Sequence, residues 1–342
     1  MPDCMDFILE RAIELNASDV YLVPSAAPSL RVDGKLAPLD LSPAAITNDL
    51  WRERFLTGEQ KKLLSERRAV DFSWQAHGRR WRGNMYYAAG KLAAVLRLVP
   101  EKIPTLTELG LAHLERFVGL AHGLLIISGY AGSGKTTTLA ALVTLMAKHR
   151  PSHVITLEDP IEYIYAADGS VFSQRELGRD FSSFPAAIKN SLRQMPDVLL
   201  VGEIRDGETM LAALTAAEAG LLVLGTLHAP NAVDVPGRVE GLFPVDMRDT
   251  VRFQLAAVLA GIITERLIPS LSGGRVAATE VMLSTPAVKN MIRQGKYNQL
   301  ESAMLSNENI GMLTLNTALR KLRQSGQISE EIRRKISEGE RL

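Results

Sequence analysis

The sequence predicts an α/β protein, with a doubly wound parallel-sheet domain in the middle of the chain. A smaller α+β domain precedes it and a helical segment follows. Three observations carry that prediction. Short apolar runs in the middle each end in glycine or polar residues and alternate with helical patterns, as parallel strands covered on both faces do. Residues 1–100 instead mix helical stretches with hairpin-like strands, the pattern of an antiparallel sheet. From Pro286 the chain reads as helix to its end. The expected divisions are therefore 1–100, 101–285 and 286–342.

The totals bound the answer. A chain of 342 residues is long for one core, so about two domains are expected. Hydrophobic content of 46% and charged content of 23% are those of a soluble globular protein. A net charge of +1 gives no overall attraction to nucleic acid, and no nucleic-acid partner is expected. The single Cys4 excludes a disulfide framework and a multi-cysteine zinc site. Asp3, Asp6, Glu10 and Arg11 stand where a signal peptide would be apolar. Leu255 to Ile263 is the nearest approach to an apolar run of about 18 residues. The expected location is the cytoplasm, with any membrane contact peripheral.

In chain order, Met5 to Leu15 places Phe7, Ile8, Ala12, Ile13 and Leu15 largely on one helical face. Asp19 to Val23 alternates as a strand, and Ser29 to Leu36 reads as a hairpin around Asp33-Gly34. Ala44 to Arg68 is helical by pattern, broken near Thr57-Gly58. Ala69 to Val99 returns to strands, with turns at His77-Gly78 and Gly90. Pro100 to Pro104 has the proline density of a linker. Buried strands are then expected at Leu124–Ser128, His153–Leu157, Val198–Val201 and Leu221–Leu227. Helices are expected at Thr136–Lys148, Ser183–Gln194, Thr209–Ala219, Ala287–Gln294, Leu313–Ser325 and Glu330–Ser337.

The chemistry concentrates after these strands. Gly129-Tyr130-Ala131-Gly132-Ser133-Gly134-Lys135-Thr136 fits the P-loop pattern G-x-x-x-x-G-K-[ST] between an apolar run and a helix start. Gly129, Gly132 and Gly134 let successive N–H groups turn inward on one anion, and the helix adds its positive end. Lys135 supplies a mobile charge for the β- and γ-phosphates, and Thr136 a hydroxyl for Mg²⁺. With Ser133 and Thr137 these residues form the expected cradle for a nucleoside triphosphate. Three further polar clusters end strands. Glu158-Asp159-Pro160-Ile161-Glu162 offers carboxylates that could orient water and take its proton. Glu203 ends the run DVLLVGE, where a Mg²⁺-holding acid belongs, with Gly202 in the place of the first acid. His228 ends LLVLGTLH, from which it could donate to a phosphate or to a catalytic glutamate. Arg205 and Asp206 read as surface pairing and capping.

Together these residues carry a resemblance over nearly the whole chain. ASDVYL, RVDGKL, GSGKTTTLAAL, ITLEDPIEY, QREL, LRQMPDVLLVGEIRD, ALTAAEAG, GTLHA, GRVAATEVM and TPAVKNMIRQGK resemble the type IV pilus retraction ATPases, PilT-like members of the secretion ATPase superfamily. The resemblance implies a PAS-like N-terminal domain, a RecA-like motor domain and a homohexameric ring. It implies an ATP-hydrolysing motor that retracts a pilus through an inner-membrane platform protein, bound peripherally at that membrane. It gives Glu162 the role of general base, Glu203 that of an acid acting on Mg²⁺, and His228 a place in the same site. It also places Arg82 and Arg97 at the positions of arginines that complete a neighbour's site. The chain departs from the family pattern at Tyr130-Ala131, Gln194-Met195 and Ala229-Pro230, none of them a charged catalytic group. The alternatives are a pilus-assembly or type II secretion ATPase, whose four-cysteine module this chain lacks, or a low-turnover ATP-binding paralogue.

Overall fold

Two units make up the chain, Met1–Lys102 and Ile103–Leu342. The structure is a computed structural model and describes residues 4–24, 26–32, 34–41, 50–99 and 102–338. Residues 44–49 of the expected helical stretch, Asp33 of the expected turn, and Pro100 and Glu101 of the expected linker lie outside those residues.

The first unit is a six-stranded antiparallel sheet with helices. Its elements run α1 (Cys4–Glu14), β1 (Asp19–Leu22), β2 (Ser29–Val32), β3 (Lys35–Pro38), α2 (Leu50–Phe55), α3 (Gly58–Arg67), β4 (Ala69–Ala76), β5 (Arg79–Ala88) and β6 (Lys91–Leu98). The sheet order is β3-β2-β1-β6-β5-β4. Turn chemistry sets much of it: His77-Gly78 and Ala89-Gly90 both take the left-handed conformation that tight hairpins need. The break expected near Thr57-Gly58 is a helix start. The Thr57 hydroxyl accepts from Gln60 N, and the Gln60 side chain accepts from Thr57 N. On α1 the buried stripe is Met5, Ile8, Leu9 and Ala12. Phe7, expected on that face, is 45% exposed, because Met5 completes the i, i+3, i+4, i+7 spacing instead.

One face of this sheet carries a polar row at a single register. Arg31 lies opposite Asp19, Asp19 opposite Arg97, Arg97 opposite Arg82, and Arg82 opposite Ser73. Asp19 is buried and accepts from Arg97 Nε at 2.8 Å, with Arg31 Nε at 3.9 Å on its other side. Cross-strand neighbours at this spacing interact directly.

The second unit is the doubly wound domain. After β7 (Gly123–Ser128) come α4 (Lys135–His149), β8 (His153–Glu158), β9 (Val171–Glu176), α5 (Phe184–Ser191), β10 (Val198–Val201), α6 (Gly207–Glu218) and β11 (Leu222–Leu227). Then follow α7 (Val235–Glu240), α8 (Arg248–Val258), β12 (Leu259–Pro269), β13 (Arg275–Leu283), α9 (Pro286–Arg293), α10 (Leu300–Ser306), α11 (Leu315–Gln324) and α12 (Glu330–Ser337). The seven strands are ordered β13-β12-β7-β11-β10-β8-β9, parallel except for β13. Every residue of β7 and β11 is buried, which explains their unbroken apolar sequence. On one face Leu124, Ile126, Leu199 and Val201 pack with Ile188 of α5, Met210 and Leu214 of α6 and Leu255 of α8. On the other, Leu125, Ile127, Leu200 and Leu224 pack with Leu139 and Val143 of α4 and Leu319 of α11.

Strands β9, β12 and β13 have no counterpart in the expected elements. The apolar run from Leu255 to Ile263 changes from helix to strand at Leu259, a switch that periodicity alone cannot register in so short a run. β9 carries Ser173, Gln174 and Arg175 at an edge, so it lacks the apolar signal of a central strand.

Gly83 of β5 lies beneath the Phe72 ring, which a Cβ at that position would overlap. Gly83→Ala should therefore destabilise the first unit by about 1–3 kcal/mol, the usual cost of overpacking. Chemical denaturation checks it; an unchanged midpoint would show that the Phe72 ring moves aside freely.

Candidate active site

The carboxyl ends of β7, β8, β10 and β11 emerge on one edge of the parallel sheet, and the chain places its polar clusters there. Gly134, with φ of 103°, caps α4, so Lys135 is the first helical residue. A Cβ on Gly134 would overlap the Glu265 carboxyl, and one on Gly129 would overlap the Glu265 carbonyl and Ser133 Oγ. The loop thus lies directly against β12, closer than any other residue type permits. Beneath it, Ser128 Oγ and Thr264 Oγ1 share a buried 2.6 Å hydrogen bond. Lys135 Nζ donates to the carbonyls of Gly129 at 3.0 Å and Tyr130 at 2.8 Å. Burial pulls its ammonium below the usual lysine range, against the attraction of Glu203, Glu265 and Glu162.

His228 joins two of these strand ends. Its Nδ1 lies 3.2 Å from the Gly129 carbonyl and its Nε2 3.0 Å from Glu203 Oε1. Of the two roles open to this histidine, the structure shows the bond to a glutamate. Glu203 Oε2 accepts from Arg205 Nη2 at 2.7 Å. Burial works against the Glu203 carboxylate, but the bond and charge of Arg205, with His228 and Lys135, hold it below the usual range. Arg205 is the surface partner expected of it, and Asp206 caps α6 by accepting from Thr209 N.

The loop after β8 is braced from within. Glu158 is buried and accepts from Thr156 Oγ1 at 2.6 Å and Gln174 Nε2 at 3.3 Å. Burial pushes its acid up, against those bonds and one from the Glu162 backbone. Asp159 is exposed and Glu162 half-buried. Tyr163 Oη meets Thr137 Oγ1 at 2.9 Å, tying this loop to the start of α4. Thr136 and Thr137 are half-buried; Ser133 is buried. Glu162 and Glu203 are each within electrostatic reach of Lys135, with His228 on Glu203. Arg82 and Arg97 belong to the first unit, in its cross-strand row.

Sequence reasoning missed Glu265 and Tyr163. Glu265 lies in the middle of a strand that was not expected, so the pattern of polar residues ending apolar strands did not point to it. Tyr163 lies one residue past Glu162 and gave no signal of its own.

Several known proteins resemble this chain. The family model described as "Type II/IV secretion system protein" matches residues 2–339. The type IV pilus retraction ATPase PilT of Pseudomonas aeruginosa is 38% identical over 332 residues, covering 95% of each chain. The type IV pilus ATPase PilU of the same organism is 37% identical over 330 residues, covering 95% of this chain and 86% of PilU. A crystal structure of the pilus retraction motor PilT with bound ADP superposes with a TM-score of 0.88 at 38% identity, covering 96% of this chain and 95% of that one.

The geometry gives a first test. His228→Ala should lower kcat about tenfold or more while nucleotide affinity stays within about threefold, because Glu203 loses its orienting partner rather than the phosphates theirs. Steady-state kinetics and a fluorescent-ADP titration separate the two. Equal losses in both would instead make His228 a general support of the loop.

Proposed function

As a member of the type II/IV secretion system protein family, and within it of the PilT-like pilus retraction ATPases, this chain is a P-loop ATPase; we propose that it works as a homohexameric motor that retracts a type IV pilus. The reading places the ring at the cytoplasmic face of the inner membrane, engaging a platform protein there. What supports it most is that Lys135, Glu162, Glu203 and His228 converge at one sheet edge. No helix among the described residues is long and apolar enough to cross a membrane, which accords with peripheral attachment.

Each residue then has a task. The amides from Gly129 to Thr137 and the Lys135 ammonium hold the phosphate chain. Glu162 orients the attacking water and takes its proton. The Thr136 hydroxyl and the Glu203 carboxylate are hard oxygen donors on a partly exposed rim. That suits Mg²⁺, which keeps several waters and few protein ligands beside substrate phosphates. When bound, the ion would offset charge between the β- and γ-phosphates. His228 keeps Glu203 directed towards that place. Arg82 or Arg97, from a neighbouring copy, supplies a planar charge to the transition state. A second reading, an ATP-binding paralogue of low turnover, rests on the departures from the family pattern at Tyr130-Ala131, Gln194-Met195 and Ala229-Pro230.

Two experiments decide. Glu162→Gln keeps the shape and loses the base, so it should bind ATP but hydrolyse it about 10²–10⁴-fold more slowly. A fall of less than ~5-fold would remove Glu162 from that role and point to Glu203. A low wild-type rate with intact binding would favour the second reading.

The ring predicts a concentration effect. Specific activity should rise with protein concentration as rings assemble. Arg97→Ala or Arg82→Ala should lower turnover more than ATP affinity, because a transition-state contact is lost. Full activity in a monomer, verified by light scattering, would rule the shared site out.

A further inference from the structure

One buried carboxyl at the site has no task in the mechanism above. Glu265 is 3% exposed and sits on β12 beside the P-loop. Its Oε1 lies where a Cβ on Gly134 would be, so the carboxyl fills the space under the loop's last glycine. The hydroxyl of Thr138, in the first turn of α4, hydrogen-bonds it. Oε2 is buried and has no hydrogen-bond partner among the described residues. The charged group that faces it is Lys135, from α4. No other charged group acts measurably on it, though charged and titratable side chains stand nearby. From the loop after β7 comes Gly129, and from β13 comes Thr279, opposite Glu265 in the ladder. His113 bonds Thr279 at 2.8 Å. Arg266, next on β12, stacks on the Tyr130 ring.

This arrangement asks for a neutral group. An ionised carboxylate with an unpaired buried oxygen is costly, whereas the protonated acid fits the same space with far less desolvation. An ionised Glu265 would also draw on Lys135, the cation the phosphates require. We propose that Glu265 is a positioning residue of the nucleotide site, acting as a protonated acid that props Gly134, bonds Thr138 and leaves Lys135 to the phosphates. Its ionisation opposes nucleotide binding, so binding is coupled to uptake of a proton. Burial is the main force that raises the acid, to about 7, against Thr138 and Lys135. The coupling therefore falls within the ordinary working range.

The signs follow from linkage. Phosphates that engage Lys135 remove the charge that favours ionised Glu265, so its acid rises further on binding. Affinity then declines as pH climbs through about 7, by no more than about tenfold for each pH unit beyond it. In the same way, the folded chain holds a proton that the unfolded chain has lost between the usual glutamate range and about 7. Stability from this group is present at low pH and declines as pH rises through that window.

The test uses the full chain with Mg·ADP as probe, measured by fluorescent-ADP titration at pH 6, 7 and 8. Wild type should lose affinity several-fold between pH 6 and 8 relative to Glu265→Gln, which is neutral and nearly the same shape. Glu265→Gln should bind at pH 8 at least as tightly as wild type. Glu265→Ala, which leaves a void under Gly134, should bind more weakly at every pH. Calorimetry of wild type at pH 8 in buffers of different ionisation enthalpy needs no variant, and should show net proton uptake. Parallel pH profiles for wild type and Glu265→Gln, or no proton uptake, would overturn the proposal. So would a folded Glu265→Gln that no longer binds, since that would make the charged carboxylate the required form. Loss of ADP binding by wild type at all pH values would instead strike the nucleotide site itself.

Discussion

Parallel hydrogen bonding between β12, β7, β11, β10 and β8 is the constraint on which the site depends. Parallel strands all deliver their carboxyl ends to the same edge, and a loop leaving one strand must pass beside its neighbours. The P-loop after β7, Glu203 after β10 and His228 after β11 are far apart in sequence. They meet because their strands are adjacent in the sheet. The approach is close enough that a carbonyl of the P-loop is itself a partner of His228. Hydrogen bonds at that range report a fixed backbone, since side chains alone could not keep the register without the ladder beneath.

That constraint also explains what the sequence revealed. Central strands such as β7 and β11 are apolar on both faces, so their runs were visible, and the polar residues that end them marked the site. Glu203 and His228 were legible for that reason, and so was the cradle from Gly129 to Thr137. Contacts across the sheet were not. Nothing in GIITE says that its glutamate lies under Gly134, because that contact depends on β12 pairing with β7, and the pairing is a property of the fold. Edge strands hid for the opposite reason: β9 is polar along much of its length and looks like a loop. Thr57, Asp206, Thr285, Thr314 and Ser329 cap five helices with side-chain oxygens.

The first unit shows how a polar face can be organised without a ligand loop. Asp19 is buried between two guanidinium groups on neighbouring strands, and a carboxylate in that position is tolerable only because it is paired. The pairing fixes one edge of the Arg97 guanidinium while its side chain stays 61% exposed. A planar group held on one side and open on the other is already oriented for a further anion, with less rotamer freedom to lose on contact. Arg82 stands beside it at the same register. The unit contributes a stiff, directed positive surface in place of a flexible arm.

The direct passage of α8 into β12 has a mechanical consequence. The helix ends at Val258 and the strand begins at Leu259, with no connecting loop between them. A loop would act as a compliant joint and dissipate a small displacement by rotating its own torsions. Here no such joint stands between them, and the strand is clamped on both sides by β7 and β13, with a register shift against β7 between Leu259 and Gly261. The strand then runs on to Glu265 and the phosphate loop, so the place of α8 and the seat of that loop are set by one continuous run of regular backbone.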